Sequence, residues 1–280
     1  MNFVPSDGLE QNITFQTSLW NNTTFHSHSH SSYEFYYFVD GDADYQVEGK
    51  IYHLTPHSLV LLSPYVFHGL RVSSTKPYTR CVIYVQPEFI PFEYRSLLLS
   101  IFPGNQKENQ KEVFYENTKE FGILSFLEKL VALQDQDISN KACLSTILLD
   151  ALLAQVYIMS QTLHPSQAYI LVPENITRII DYINQHLTEE VSLDVLSERF
   201  FLSKHYMNRA FKKATGTTII NYIIHKRVIM ACHLMQEGNS ASVAAFQSGF
   251  HDYSVFYRAY KNIFGHSPTN RFSPANKDDK

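Results

Sequence analysis

Residues 203–216 read SKHYMNRAFKKATG and residues 252–265 read DYSVFYRAYKNIFG, two copies of one pattern set 49 positions apart. In that register Arg209 falls on Arg258, Ala210 on Ala259, Phe211 on Tyr260, Lys212 on Lys261 and Gly216 on Gly265. Ser203 falls on Asp252, and both side chains can accept hydrogen bonds from the unpaired amides of a helix start. Each copy therefore reads as a short amphipathic helix. Met207, Ala210 and Phe211 face inward in the first, and Phe256, Ala259 and Tyr260 in the second. The outer side carries Lys204, His205, Asn208, Arg209 and Lys212, or Tyr253, Ser254, Tyr257, Arg258 and Lys261. A helix with a packed back and a front of Arg, Lys and Asn suits the reading of base edges in a major groove.

Each copy sits in a larger unit. VSLDVLSERFFLSKHYMNRAFKKATG reads as helix, turn, helix, with Ser192 and Ser203 as caps and residues 200–202 as the turn. SVAAFQSGFHDYSVFYRAYKNIFG repeats the arrangement with Gly249 in its turn, where the 49-residue shift places Phe200 of the first copy. Residues 218–236 read as one long helix between the two units, with Ile219, Tyr222, Ile223, Arg227, Met230 and Leu234 along it, ended by Gly238 and Asn239. Upstream, Asn175 is a plausible cap for a helix whose Ile176, Ile179, Ile180, Ile183 and Leu187 form an apolar stripe. HSPTNRF closes the domain.

The net charge of −4 looks wrong for a DNA-binding protein until it is divided. Residues 172–280 hold 13 of the 23 basic and 10 of the 27 acidic residues, a balance of +3, and the remainder carries −7. That asymmetry fits a basic reading module joined to an acidic sensing one. The three cysteines, Cys81, Cys143 and Cys232, lie far apart and offer neither a disulfide framework nor a CxxC metal pattern, so a reducing cytoplasm is expected. MNFVPSDGLE has no basic segment leading into an apolar one, so no secretory signal is expected. The most apolar stretch, ILLDALLAQVYIM, is interrupted by Asp150 and Gln155, so no membrane span is expected either.

Residues 13–90 read as β structure. Candidate strands cover 33–39, 45–47, 51–54, 58–62 and 79–85, separated by turn signals such as Asp40–Gly41 and Gly49–Lys50. Short strands and frequent turns predict a small antiparallel barrel or double-sheet jelly roll. Residues 91–112 read as a surface loop. Two helices are expected next. The first, 114–133, carries Phe121, Leu124, Leu127 and Val131 on one face. The second, 139–163, carries Leu144, Ile147, Leu148, Ala151 and Ala154, with apolar residues spilling beyond that face. The excess suggests burial on two sides, by the barrel and by a second subunit, or wholly within the chain. The expected fold class is α+β in two domains: a β domain over 1–110 with a helical segment over 111–163, a linker over 164–173, and an all-α domain over 174–280.

Within the β region, His28-x-His30-x3-Glu34-x6-Gly41 is followed by Pro64-x3-His68. This resembles the two signature segments of the cupin superfamily. In metal-binding cupins such a set, here His28, His30, Glu34 and His68, converges on one divalent ion, and imidazole with carboxylate suits Zn, Fe, Mn or Ni. HSHSHSSYEFYYF also resembles the opening of AraC-type sensor domains, which are cupin-like and usually hold no catalytic metal. That resemblance implies a metal-free pocket for a small effector, no cofactor, and ligand contacts from His28, His30, Glu34, Tyr37, Tyr45 and His68. Tyr33, Phe35, Tyr37, Tyr45, Tyr52 and Tyr84 offer rings for a sugar or another flat ligand, and equally for plain core.

From Ile176 to Phe272 the chain resembles the DNA-binding domain of the AraC/XylS family of transcription regulators. The resemblance rests on an ordered set: RAFKKATG, the long helix with HKR at 225–227, the SGF-x-D-Y-S-x-F turn and helix, and the terminal G-x-SP-x-x-R. It implies two recognition helices in successive major grooves of double-stranded DNA. His205, Asn208 and Arg209 would reach base edges in one groove, and Tyr253, Ser254, Tyr257 and Arg258 in the next. Lys204, Lys212 and Lys261 would meet phosphates. It further implies a homodimer, contact with RNA polymerase, and control by a small molecule, with activation the expected sign. Two alternatives stay open on sequence alone: a metal-dependent cupin enzyme with a DNA-binding tail, and a regulator controlled only by protein partners.

Overall fold

The computed structural model describes residues 13–18, 28–72, 76–103, 112–171 and 173–268. The chain divides into two compact units, Met1–Ile170 and Leu171–Lys280.

Among the described residues there are nine short strands, all in the first unit but for the last residue of the ninth. They are β1 (Ile13–Ser18), β2 (Tyr33–Asp40), β3 (Ala43–Val47), β4 (Lys50–Leu54), β5 (Ser58–Leu62), β6 (His68–Arg71), β7 (Tyr78–Val85), β8 (Glu112–Tyr115) and β9 (Ile170–Leu171). One sheet has the order β1-β7-β2-β5-β8 and the other β6-β3-β4-β9. The described neighbours pair antiparallel, with Glu34 opposite Leu62 on one side of β2 and Tyr84 on the other. Gly41 makes the sharp return after β2 at φ +134, where a Cβ would stand 2.5 Å from that of Tyr78.

Alternation along β2 decides what each side chain meets. Tyr36 and Phe38 pack between the two sheets with Tyr45, Val47, Tyr52 and Val82. Phe35 and Tyr37 face the other way, into a core shared with the helices α1 (Phe92–Leu99), α2 (Ile123–Gln134) and α3 (Lys141–Ser160). The result is three layers: sheet, sheet, helices.

Residues 92–99 are helical, not loop, entered through Pro91, whose fixed φ suits a helix start. Residues 112–115 form an edge strand on β5, because Val113 and Phe114 alternate onto opposite faces, so the helix expected from 114 begins only at Ile123. Its buried stripe is Ile123, Leu127, Leu130 and Leu133. In α3 the buried face is Leu149, Leu152, Leu153, Val156 and Met159, and the expected Leu144 and Ile147 are exposed. Both faces of α3 are apolar, so periodicity could not tell which one meets the core. By length and composition alone α3 could cross a membrane, but its interrupting polar groups are engaged inside this unit. Asp150 accepts a hydrogen bond from Tyr94 at 2.7 Å and Gln155 donates to the Phe121 carbonyl at 2.9 Å.

The second unit is helical: α4 (Glu174–Gln185), α5 (Leu193–Phe200), α6 (Lys204–Thr215), α7 (Ile219–Gln236), α8 (Ala241–Gln247) and α9 (Tyr253–Phe264). Pro173, not Asn175, precedes α4, and Ile176, Ile179, Ile180 and Ile183 are buried as the stripe required. Thr218 caps α7. The second helix pair packs on the C-terminal half of α7 through Val228, Cys232, Met235, Phe256 and Tyr260. At the other half, Phe211 of α6 meets Tyr222 edge-on at 5.5 Å. One helix thus carries both pairs.

Candidate functional sites

The two helix-turn-helix units are built from the same devices. Ser192 and Ser240 cap the first helices, and Ser203 and Asp252 cap the second, each accepting from a backbone amide two or three residues on. Gly216 and Gly265 close α6 and α9 in the left-handed region at φ 78, donating to the Lys212 and Lys261 carbonyls at 2.8 Å. The turns differ. The left-handed residue is Phe201 at φ 53 in the first and Gly249 at φ 92 in the second. Each lies nine residues beyond its serine cap, but two residues before Ser203 and three before Asp252. The 49-residue shift therefore pairs Phe200 with Gly249 wrongly, because the second turn holds one extra residue. A phenylalanine in this conformation costs roughly 1–2 kcal/mol relative to glycine, and its ring is 93% exposed.

On α6, Met207 and Phe211 are fully buried, and His205, Arg209 and Lys212 are exposed. On α9, Phe256 and Tyr260 are buried, Ser254, Tyr257, Arg258 and Lys261 are exposed, and Tyr253 is half-buried beside Phe256. Two expected contacts are engaged elsewhere. Asn208 is half-buried, and its Oδ1 accepts from the Ile219 amide at 3.1 Å, which fastens α6 to the start of α7. Pairing with adenine would ask the second lone pair of that oxygen and the amine to reach a base while the first lone pair stays on α7. Lys204 forms an exposed ion pair with Asp194 on α5. Tyr206, Lys213 and Val255 share the exposed faces and were not singled out from sequence, although their helical spacing from Arg209 and Arg258 places them there.

The first unit gathers His28, His30, Glu34 and His68, whose ligand atoms all lie within 4.8 Å of one another. Glu34 points between the sheets from β2, and the Tyr45 hydroxyl on β3 donates to its Oε1 at 2.6 Å. His30 Nε2 and His68 Nε2 both approach its Oε2, at 2.8 and 3.0 Å. Backbone bonds in both directions, 2.9 and 3.1 Å, pin His28 beside His68. The Tyr84 ring stands edge-on to His30 at 4.6 Å, and the Tyr36 ring lies 4.6 Å from that of Tyr45.

Burial would raise the Glu34 carboxyl, but the charges and hydrogen bonds of His68 and His30 hold it well below the usual carboxylate range. Burial lowers His30, and its bond to Glu34 only partly offsets that. His68 is pushed down by burial and up by the Glu34 carboxylate, with a net rise. Burial and the same carboxylate push Tyr45 well up, so it stays a protonated donor.

Tyr37 does not join this group. It points to the helical side of β2, its hydroxyl 3.1 Å from His57 Nδ1. Phe35 turns the same way. Period-two alternation from Glu34 would have excluded both and selected Tyr36. Arg80, whose field reaches Tyr36, Tyr78 and Glu34, was also missed from sequence.

A family model described as an AraC-like ligand binding domain matches residues 16–156, and one described as a helix-turn-helix domain matches 196–272. The HTH-type transcriptional activator RhaS of Escherichia coli O6:H1 is 22% identical over 245 residues, covering 87% of this chain and 86% of that protein. Among solved structures, ToxT from Vibrio cholerae O395 is 17% identical, with a TM-score of 0.36 over 92% of this chain and 96% of that one. The DNA-binding domain of AdpA, solved with a target DNA, is 23% identical, with a TM-score of 0.33 over 34% of this chain and 87% of that one.

Proposed function

The chain belongs to the AraC/XylS family of transcription regulators, with an AraC-like ligand-binding domain ahead of a helix-turn-helix domain, and we propose from that premise how each part works. The two recognition helices, α6 and α9, enter successive major grooves on one face of double-stranded DNA. The spacing this needs is about one helical turn, roughly 34 Å. Arg209 and Arg258 read base edges, with His205 beside the first and Ser254, Tyr257 and Tyr253 beside the second. Lys212 and Lys261 contact phosphates, which set affinity and salt dependence but not sequence. Lys204 reaches a phosphate only by leaving Asp194. Asn208 holds α6 against α7.

In this reading the first unit senses and does not turn substrate over. A small effector enters between the sheets, where Glu34, Tyr45, His68, Tyr36 and Arg80 present polar groups on an aromatic wall. It acts only as far as it binds one arrangement of the protein better than another. A second copy of the chain covers the exposed apolar face of α3, at Leu144, Ile147 and Ile158, to form a homodimer. The protein works in the cytoplasm and activates transcription through contact with RNA polymerase, the sign carried by the name of its relative RhaS.

The observation that carries the reading is the pair of capped helices, α6 and α9, each buried behind and basic in front, mounted on one helix. Selection of binding sites from random duplex DNA by the full-length protein tests it. Two short boxes about one helical turn apart are expected. Enrichment of a single box, or of none by folded protein with and without candidate effectors, would overturn the two-groove reading.

A further inference from the structure

Residues 164–173 read as a linker in the sequence, but 166–171 are fastened along one edge of the two-sheet sandwich. The Ser166 amide donates to the Phe114 carbonyl at 2.7 Å, and its hydroxyl to Glu116 Oε2 at 2.6 Å. Phe114 lies on β8, an edge strand of the first sheet. Further on, the Tyr169 ring stands edge-on to Tyr52 at 5.7 Å, with the Lys50 ammonium 5.3 Å from its centre. Ile170 and Leu171 then pair with β4 and close that edge of the second sheet. One short stretch binds the edges of both sheets together.

This cover is weak, and it is coupled to the interior. The strand β9 has two residues, Ile170 is 68% exposed and Tyr169 is half-buried. A strand so short, with little apolar surface beneath it, belongs to the parts of a fold that open locally well before global unfolding. Tyr52, under Tyr169, packs between the sheets and stands opposite Tyr45 in the β3–β4 ladder. Tyr45 in turn donates to Glu34 at 2.6 Å. Contacts therefore run from Glu34 through Tyr45 and Tyr52 to Tyr169. Tyr52 also meets Phe114, ring centres 4.9 Å apart, and Phe114 supplies the carbonyl that holds Ser166. A molecule lodged between the sheets on this side has to shift Tyr52 or Phe114, and both carry the strap. Covering a sheet edge is a common structural need. Here the cover is also the covalent tether of the second unit, which begins at Leu171.

We propose that residues 166–171 are a releasable strap. An occupant between the sheets frees β9 from β4, and the freed segment becomes a longer tether for the second unit. Release adds residues 167–171 to that tether, a reach of about 17 Å when fully extended. The inference deepens the regulator reading given above and rests on it. The effector favours the released state, and the released state favours occupation of DNA. The effector contributes only its difference in affinity between the two states.

The test compares full-length wild type with Tyr169→Ala and Ser166→Ala. Ile170→Thr serves as the control, since its side chain is already in water and stays β-branched. Hydrogen exchange over residues 50–54 and 166–171 should quicken in the first two variants and not in the control. Relaxation of backbone ¹⁵N should show faster tumbling of the second unit in the same two. Affinity for a site selected from random duplex DNA should tighten at least about fivefold, the lower end of coupling between sites. That gain corresponds to a released state populated about one-fifth of the time or less in the wild type. A freed strap with unchanged or weaker DNA affinity overturns it as a control device. Unchanged exchange in both variants also overturns it, because the segment is then not held by these contacts. If no duplex is selected by wild type or variants, the regulator reading fails instead, and exchange and tumbling alone decide whether the strap releases.

Discussion

The Arg227 guanidinium and Gly249 meet over one carbonyl. Arg227 Nε donates to the Leu187 carbonyl at 2.8 Å, and a Cβ on Gly249 would stand 2.8 Å from that same oxygen and 2.9 Å from Nε. A second bond, from Nη2 to the Glu189 carbonyl at 2.7 Å, completes the grip. The loop between α4 and α5 is therefore wedged between the long helix and the second turn, so the first helix-turn-helix unit is fixed to the second through backbone as well as through α7. In the proposed two-groove reading this sets the relation between the recognition helices.

Gly249→Ala should damage that relation more than an ordinary loop substitution. Its φ of 92 is strained for any residue with a Cβ, and the new methyl meets backbone atoms that cannot swing aside. The left-handed conformation alone costs roughly 1–2 kcal/mol, and the overlap adds to it. Urea denaturation should show a loss of at least that size. A variant as stable as the wild type would mean that the loop is not held as described.

Arg227→Met keeps the length of the side chain and removes both donors. The two carbonyls lose charged hydrogen bonds, each contributing about 1.5–3 kcal/mol when buried. Arg227 is only half-buried, so the loss should fall at or below the low end of their sum. DNA affinity for a site with both boxes should fall more than affinity for either box alone. Equal falls would argue that Arg227 supports folding without setting the spacing.

Phe201→Gly should do the opposite of Gly249→Ala. The ring is solvent-exposed and its backbone is left-handed, so glycine relieves strain and removes almost no packing. A gain of about 1 kcal/mol is expected, read by thermal or urea unfolding. An unchanged or lower stability would show that the ring packs on something in solution. A gain in stability with a loss of DNA affinity would mark it as a contact to the duplex.

The repeat was legible because both copies use the same caps, buried pairs and closing glycines, all of which are local. The turn was misaligned by one residue because a shift read from the recognition helices does not see an extra residue ahead of them. In the first unit, strands β2 to β5 and β7 followed from alternation and turn residues. Strand β8 and helix α1 did not, because a four-residue edge strand and an eight-residue helix each carry too short a pattern. The His/Glu set was legible as a motif. That Tyr37 turns away from it, and that Tyr36 and Arg80 face it, needed only the parity of β2 and of its pairing with β7. The buried face of α3 was beyond reach, since both its faces are apolar.

Asn208→Ala separates holding from reading. Its carbonyl satisfies the Ile219 amide at the start of α7, so removal should cost about 1 kcal/mol of stability, as loss of a helix cap does. It should lower affinity for all sequences together. A change of base preference at one position, at unchanged stability, would return Asn208 to the recognition surface.

Arg209→Ala and Arg258→Ala test the division of labour between the two helices. Both side chains are exposed on faces whose backs are buried, at matching places in α6 and α9. Neither removes a buried contact, so unfolding should be nearly unchanged. Each should weaken specific binding by about 1–3 kcal/mol and relax base preference in one box only. The boxes should differ, and the double variant should lose close to the sum, because widely separated sites add. Non-specific binding should fall little, since the phosphate contacts proposed for Lys212 and Lys261 remain. Relaxation of the same box by both substitutions would mean that α6 and α9 do not read separate grooves, and the two-groove arrangement would have to be abandoned.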